Sequence, residues 1–193
     1  MFIQNKVLPL HTDLVNTMFN YLKTIRIMSH SRVFQLETFK KSEYDKHDIE
    51  ELNEFSLEQN QFPHPNYVDY WRNSENVADD FDWLVKSGLP DGMFEVNKAE
   101  QSLTYVKRPD EYIQKYIDKI KAEVDMLSLE SFYSNDFSTW YLEHILLNND
   151  NEFMIYSSEN GYPIYIKDWI IGVAKTCEIG KKFYLGGVLD YHY

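Results

Sequence analysis

Between Pro109 and Ser128 the apolar positions Ile113, Tyr116, Ile117, Ile120, Val124 and Leu127 recur at three- and four-residue intervals, as on one helical face. Pro109 suits the first helical position, where its missing N–H costs nothing. Asp110 and Glu111 follow where the helix dipole favours negative charge, and Glu111 stands four residues before Lys115. The spacing predicts a helix whose stripe Ile113, Ile117, Ile120 and Val124 is buried, so that Ile117→Ala costs roughly 2–5 kcal/mol.

The same periodicity predicts further helices. One runs from Thr12 or Asp13 to Met28, with Leu14, Val15, Met18, Leu22 and Ile25 inward. A second covers 45–59, with Ile49, Leu52 and Phe55 inward. A third covers 75–87 behind Ser74, buries Val77, Phe81, Leu84 and Val85, and ends at Gly88 and Pro90. A fourth starts at Asp136 or Ser138 and reaches Leu147, and a helical turn is expected over 66–73. A short strand is expected at 2–8, two-residue alternation marks another at 32–39, and 93–97 with 103–107 form a hairpin joined by KAEQS. FMIYS and YPIYI form a second hairpin through Asn160-Gly161, and the chain closes with a strand bulged at Gly186-Gly187. Residues 168–176 fit helix or strand. Strands that come in hairpin-joined pairs predict an α+β fold: one domain over 1–193, four to five helices packed on a small antiparallel sheet made of hairpins.

Charge changes this picture more than composition does. The net charge is −12, and residues 43–160 carry nine Lys/Arg against 26 Asp/Glu, a net of −17. Such a block repels nucleic acid and anionic lipid and attracts basic partners. Tyrosine, with 15 copies, supplies side chains that suit interfaces. No apolar run approaches the length of a membrane span, the first residues do not resemble a signal peptide, and one cysteine excludes an internal disulfide framework. A cytoplasmic protein is expected.

Candidate chemistry is sparse. The six histidines form no HxxxH and there is no CxxC; His47 and Glu51, four apart, would make half a metal site. Cys177 stands alone. No phosphate loop or GxSxG occurs. Asp79, Asp80 and Asp82 are candidate acid–base or magnesium-binding groups, but the chain lacks the basic track that a phosphate substrate needs. No metal and no cofactor are therefore expected.

Two readings follow. The first is a small acidic binding module or inhibitor that occludes a basic surface of a partner protein, a toxin or a nucleic-acid-binding protein. Its physical profile is that of bacterial immunity proteins and of phage-encoded nucleic-acid mimics. No direct nucleic-acid contact is expected, and a homodimer remains compatible. On helical wheels Trp83 points outward beside Asp79 and Asp82, while Glu50, Glu54 and Glu58 form an outward stripe. These six are the expected partner-binding residues, Trp83 as apolar anchor and the acids as electrostatic rim. The alternative is a hydrolase whose Asp, Glu and His residues are dispersed along the chain.

Overall fold

The computed structural model describes residues 30–63, 68–125, 127–133 and 153–192. Among the described residues seven strands form one sheet: β1 (His30–Glu37), β2 (Tyr70–Asn73), β3 (Phe94–Asn97), β4 (Ser102–Tyr105), β5 (Met154–Tyr156), β6 (Ile164–Tyr165) and β7 (Lys182–His192). Helices span Tyr44–His47, Val77–Trp83, Asp110–Asp125, Leu129–Tyr133 and Ile166–Thr176. The strand expected at 2–8 and the helices expected at 12–28 and 136–147 lie outside the described residues. Among the described residues no helix is long and apolar enough to cross a membrane.

Both expected hairpins form, with Phe94 opposite Tyr105 and Met154 opposite Tyr165. The sheet is nevertheless larger than the small antiparallel one expected, and partly parallel. Its order is β3-β4-β7-β1-β5-β6, and the β1–β5 pair is parallel. The reason is that β1 and β7, neither of them in a hairpin, form the centre. β1 pairs along one flank of β7, and the other flank is shared by β4 at Lys182–Tyr184 and β2 at Leu189–His192.

Alternation along the two central strands makes two cores. Val33, Leu189 and Tyr191 point to one face, where Leu52, Leu57, Phe62 and Val68 cover them. Phe34, Leu36, Leu185 and Val188 point to the other, against Phe81 and Leu84 and the Ile166, Trp169, Ile170 and Val173 side of the last helix. The segment 168–176, compatible with either state in sequence, is therefore helical because its apolar residues face the sheet at helical spacing.

The expected bulge is present: Gln35 stands opposite both Gly186 and Gly187, where the register shifts between Phe34 and Leu36. The Gln35 side chain is fully buried there. Its Oε1 accepts from the backbone N–H of Gly187 (3.0 Å) and of Leu52 (2.8 Å). Its Nε2 donates to the Glu50 carbonyl (2.9 Å) and to Glu37 (3.2 Å). A side chain at Gly186 would strike the Gln35 amide and the Tyr44 hydroxyl, and one at Gly187 would strike the Leu52 carbonyl. The two glycines thus let a loop lie against the bulge. Burial pushes the Tyr44 phenol well above the usual tyrosine range, with Glu37 and Glu51 adding to the shift.

Among the described residues two expected helical stretches depart from expectation. The one over 45–59 stops at His47, because Asp48 adopts a left-handed conformation (φ 53°). The residues after it run as a loop to the 3-10 turn at Gln59–Gln61. The helical turn over 66–73 is instead the strand β2, drawn into the sheet by the end of β7. The helix over 75–87 forms as Val77–Trp83 followed by a π turn at Leu84–Gly88, and its cap is Asn76 rather than Ser74.

The Asp110–Asp125 helix forms as expected, but its buried face is not the isoleucine stripe. Ile113 and Ile120 are half-buried, while Ile117 is 37% and Val124 46% exposed. Tyr112 packs on the core, and the Lys167 ammonium, beneath Tyr116, donates to its hydroxyl (3.1 Å). Docking by two tyrosines turns Ile117 outward. Ile117→Ala is accordingly expected to cost under about 1 kcal/mol, whereas Ile170→Ala, at a fully buried position, should cost roughly 2–5 kcal/mol in urea unfolding. Gln35→Leu should cost at least about 3 kcal/mol, since it leaves three buried backbone groups without partners. An unchanged unfolding midpoint in that variant would show that the loop is held by its other contacts without the Gln35 amide.

Candidate functional site

The strongest polar cluster follows from strand register. His30, His192 and Tyr70 lie side by side on β1, β7 and β2, and two residues along, on the same face, lie Arg32, Asp190 and Arg72. Asp190 is buried and accepts from Arg32 Nη1 (2.7 Å), His30 Nδ1 (3.0 Å) and Arg72 Nη2 (3.4 Å). Arg32 Nε donates to Asp80 Oδ1 (2.8 Å), and the Ser74 hydroxyl holds the other oxygen of Asp80. Tyr70 stacks on His192 (5.0 Å between centroids), whose Nδ1 meets Asp69 (3.2 Å). Nearly every strong donor here has an acceptor inside the cluster, so the arrangement closes one end of the sheet and clamps the Val77–Trp83 helix to it.

That clamp decides where the expected contact residues of the helix point. Asp80 is buried against Arg32, Asp82 pairs with Lys98 (2.7 Å), and Asp79 accepts from the Asn76 amide (2.6 Å). The three carboxylates diverge to separate partners, which removes the acid–base and magnesium reading of this triplet. Trp83 is not turned fully outward: it is 36% exposed, its ring meets Phe153 edge-on at 4.6 Å, and the Arg32 guanidinium sits 5.3 Å from its centroid.

Comparison with protein-family models, with curated proteins and with solved structures finds no match.

Glu50, Glu54 and Glu58 do not form a helical stripe with one another, since the helix that would align them is absent. They belong to the loop that covers the opposite face of the sheet from the Val77–Trp83 helix. The six expected contact residues therefore do not make one surface. The loop is well fixed. Leu52 and Leu57 are buried beneath it, Trp71 Nε1 donates to the Glu54 carbonyl (3.0 Å), and Asn73 Oδ1 accepts from Glu54 N–H (3.0 Å). Residues 45–58 hold six Asp/Glu and one Lys. Glu51 pairs with Lys41, and among the described residues Asp45, Asp48, Glu50, Glu54 and Glu58 have no ion-pair partner. Phe55, expected inward, is 87% exposed.

The remaining candidates resolve into structural roles. His47 stacks on Phe39 (3.5 Å) while Glu51 turns to Lys41, so the two do not share a ligand. Cys177 packs on the core beside the Thr176 hydroxyl. Among the described residues no group of three or more His, Cys, Asp or Glu is placed to hold a metal ion. The Arg32 network has little signal in the sequence, because residues 66–73 by themselves suggest a helical turn; its one visible sign is polar or aromatic residues two apart at His30/Arg32, Tyr70/Arg72 and Asp190/His192. Arg32→Ala should destabilise by roughly 3–5 kcal/mol, because it leaves Asp80 buried without its cation. A loss below about 1 kcal/mol in chemical denaturation would show the cluster to be solvated.

Proposed function

We propose that the protein is an acidic binding module that covers a basic surface of another protein, such as a toxin or a nucleic-acid-binding protein, and blocks it sterically. One observation carries this reading: the segment 45–58, the end of the short helix and the loop after it, displays five carboxylates that no cation among the described residues pairs with. Folding alone gives no reason to keep them, since like charges grouped on one loop repel one another. Unpaired charge of one sign speeds encounter with the opposite sign and disfavours other partners. The charge balance of residues 43–160 supports the same polarity. Glu50, Glu54 and Glu58 carry the proposal. Asp79 and the half-exposed Trp83 offer a second, smaller patch on the other face, where Asp82 and Asp80 already have cations.

Affinity purification with the intact chain tests the reading. A basic protein should be retained at low ionic strength and released as salt rises, and its association rate should fall several-fold in a Glu50→Gln, Glu54→Gln, Glu58→Gln variant with little change in dissociation. Recovery of only neutral or acidic partners, or an unchanged association rate in the triple variant, would overturn it.

A further inference from the structure

We infer that Phe55 is the apolar anchor of this surface, and that the partner offers a hydrophobic socket rimmed by Lys or Arg; the inference rests on the acidic-surface reading above. At 87% exposure Phe55 is the most open large hydrophobic side chain among the described residues. A single exposed apolar residue is ordinary on a protein surface. Phe55 differs because the loop cannot turn it inward. Its N–H donates to Asn53 Oδ1 (2.9 Å), the Asn53 N–H to the Ser56 hydroxyl (2.9 Å), and the Ser56 N–H to the Asn53 carbonyl (2.9 Å). Leu52 and Leu57, on either side, already fill the core beneath, and Trp71 and Asn73 grip Glu54 from β2.

The ring therefore stands on a backbone held in place before any partner arrives, which lowers the ordering cost of binding. Glu54 precedes it directly, and Glu50 and Glu58 belong to the same unneutralised loop. Charge complementarity then specifies the occupant. A socket for Phe55 has to be rimmed by cations, because an uncharged or acidic rim would leave these carboxylates desolvated and unpaired. A buried aromatic anchor within a polar rim is also the usual arrangement of a binding hot spot.

Two synthetic peptides probe this: an amphipathic helix with one leucine face and one lysine face, and an unstructured all-lysine peptide of equal charge. The intact protein should bind the amphipathic helix at least tenfold more tightly than the all-lysine peptide at low salt. Phe55→Ser should abolish that difference and leave the salt dependence intact, with an unchanged unfolding curve showing that the fold survives. Equal preference in the wild type, or a preference that persists in Phe55→Ser, overturns the anchor while the acidic-surface reading stands. Failure of both peptides to bind the wild type at low salt overturns both.

Discussion

The Gln35 side chain holds two structures that would otherwise have no reason to meet. A bulge in β7 turns the Gly187 N–H away from ordinary ladder pairing, and a buried donor left alone costs about 1–3 kcal/mol. The Gln35 carbonyl oxygen answers it, and the same amide reaches the Glu50 carbonyl and the Leu52 N–H. The Gln35 side chain that makes these three contacts is itself fully buried. Because an amide has two donors and two acceptor lone pairs, it is the side chain type that can serve a strand and a loop at once. The position of the acidic loop relative to the sheet depends on that geometry, as do the two glycines that leave room for it.

The acid of this chain is divided unevenly between structure and surface. Where carboxylates are buried they are met by cations or several donors: Asp80 and Asp190 by Arg32, Asp190 also by Arg72, and Glu37 by Ser158 and Gln35. These charges can contribute little to an external field. The segment 45–58 is the reverse case, with five carboxylates, four exposed and that of Glu54 half-buried, that pair with no cation among the described residues. Net charge alone does not distinguish these situations, and the separation is what moves the functional argument from the Val77–Trp83 helix to the loop.

Much of the sheet was legible in the chain because its signals are local. The hairpins, the β7 bulge at the paired glycines and the helix behind Pro109 rest on turn chemistry and short-range periodicity. What escaped was non-local. β2 reads as helical until the end of β7 pairs with it, and the β1–β7 register joins residues about as far apart as the described chain allows. The partial burial of Tyr116 in place of Ile117 goes with its contact to Lys167, which lies far along the sequence. The six expected contact residues fared accordingly: Asp79, Asp82 and Trp83 stay on one helix, while Glu50, Glu54 and Glu58 left the helix that was to align them.

The absence of that helix has its own physical logic. Glu50, Glu54 and Glu58 at four-residue spacing would each repel the next by roughly 0.2–0.5 kcal/mol on an isolated helix. A helical face could bury Ile49, Leu52 and Phe55, whereas the loop buries Leu52, Leu57 and Phe62, a spacing that no single helical face provides. Asp48 takes the left-handed conformation that aspartate tolerates better than most residues. Asn53 and Ser56 then close a turn that would compete with helix in any context. Repulsion, burial pattern and turn chemistry thus point the same way. The glutamates keep their charge because tertiary anchors, not helical hydrogen bonds, fix the backbone that carries them. A loop held from beneath tolerates self-repulsion along its outer side, and the field it presents comes from a fixed surface.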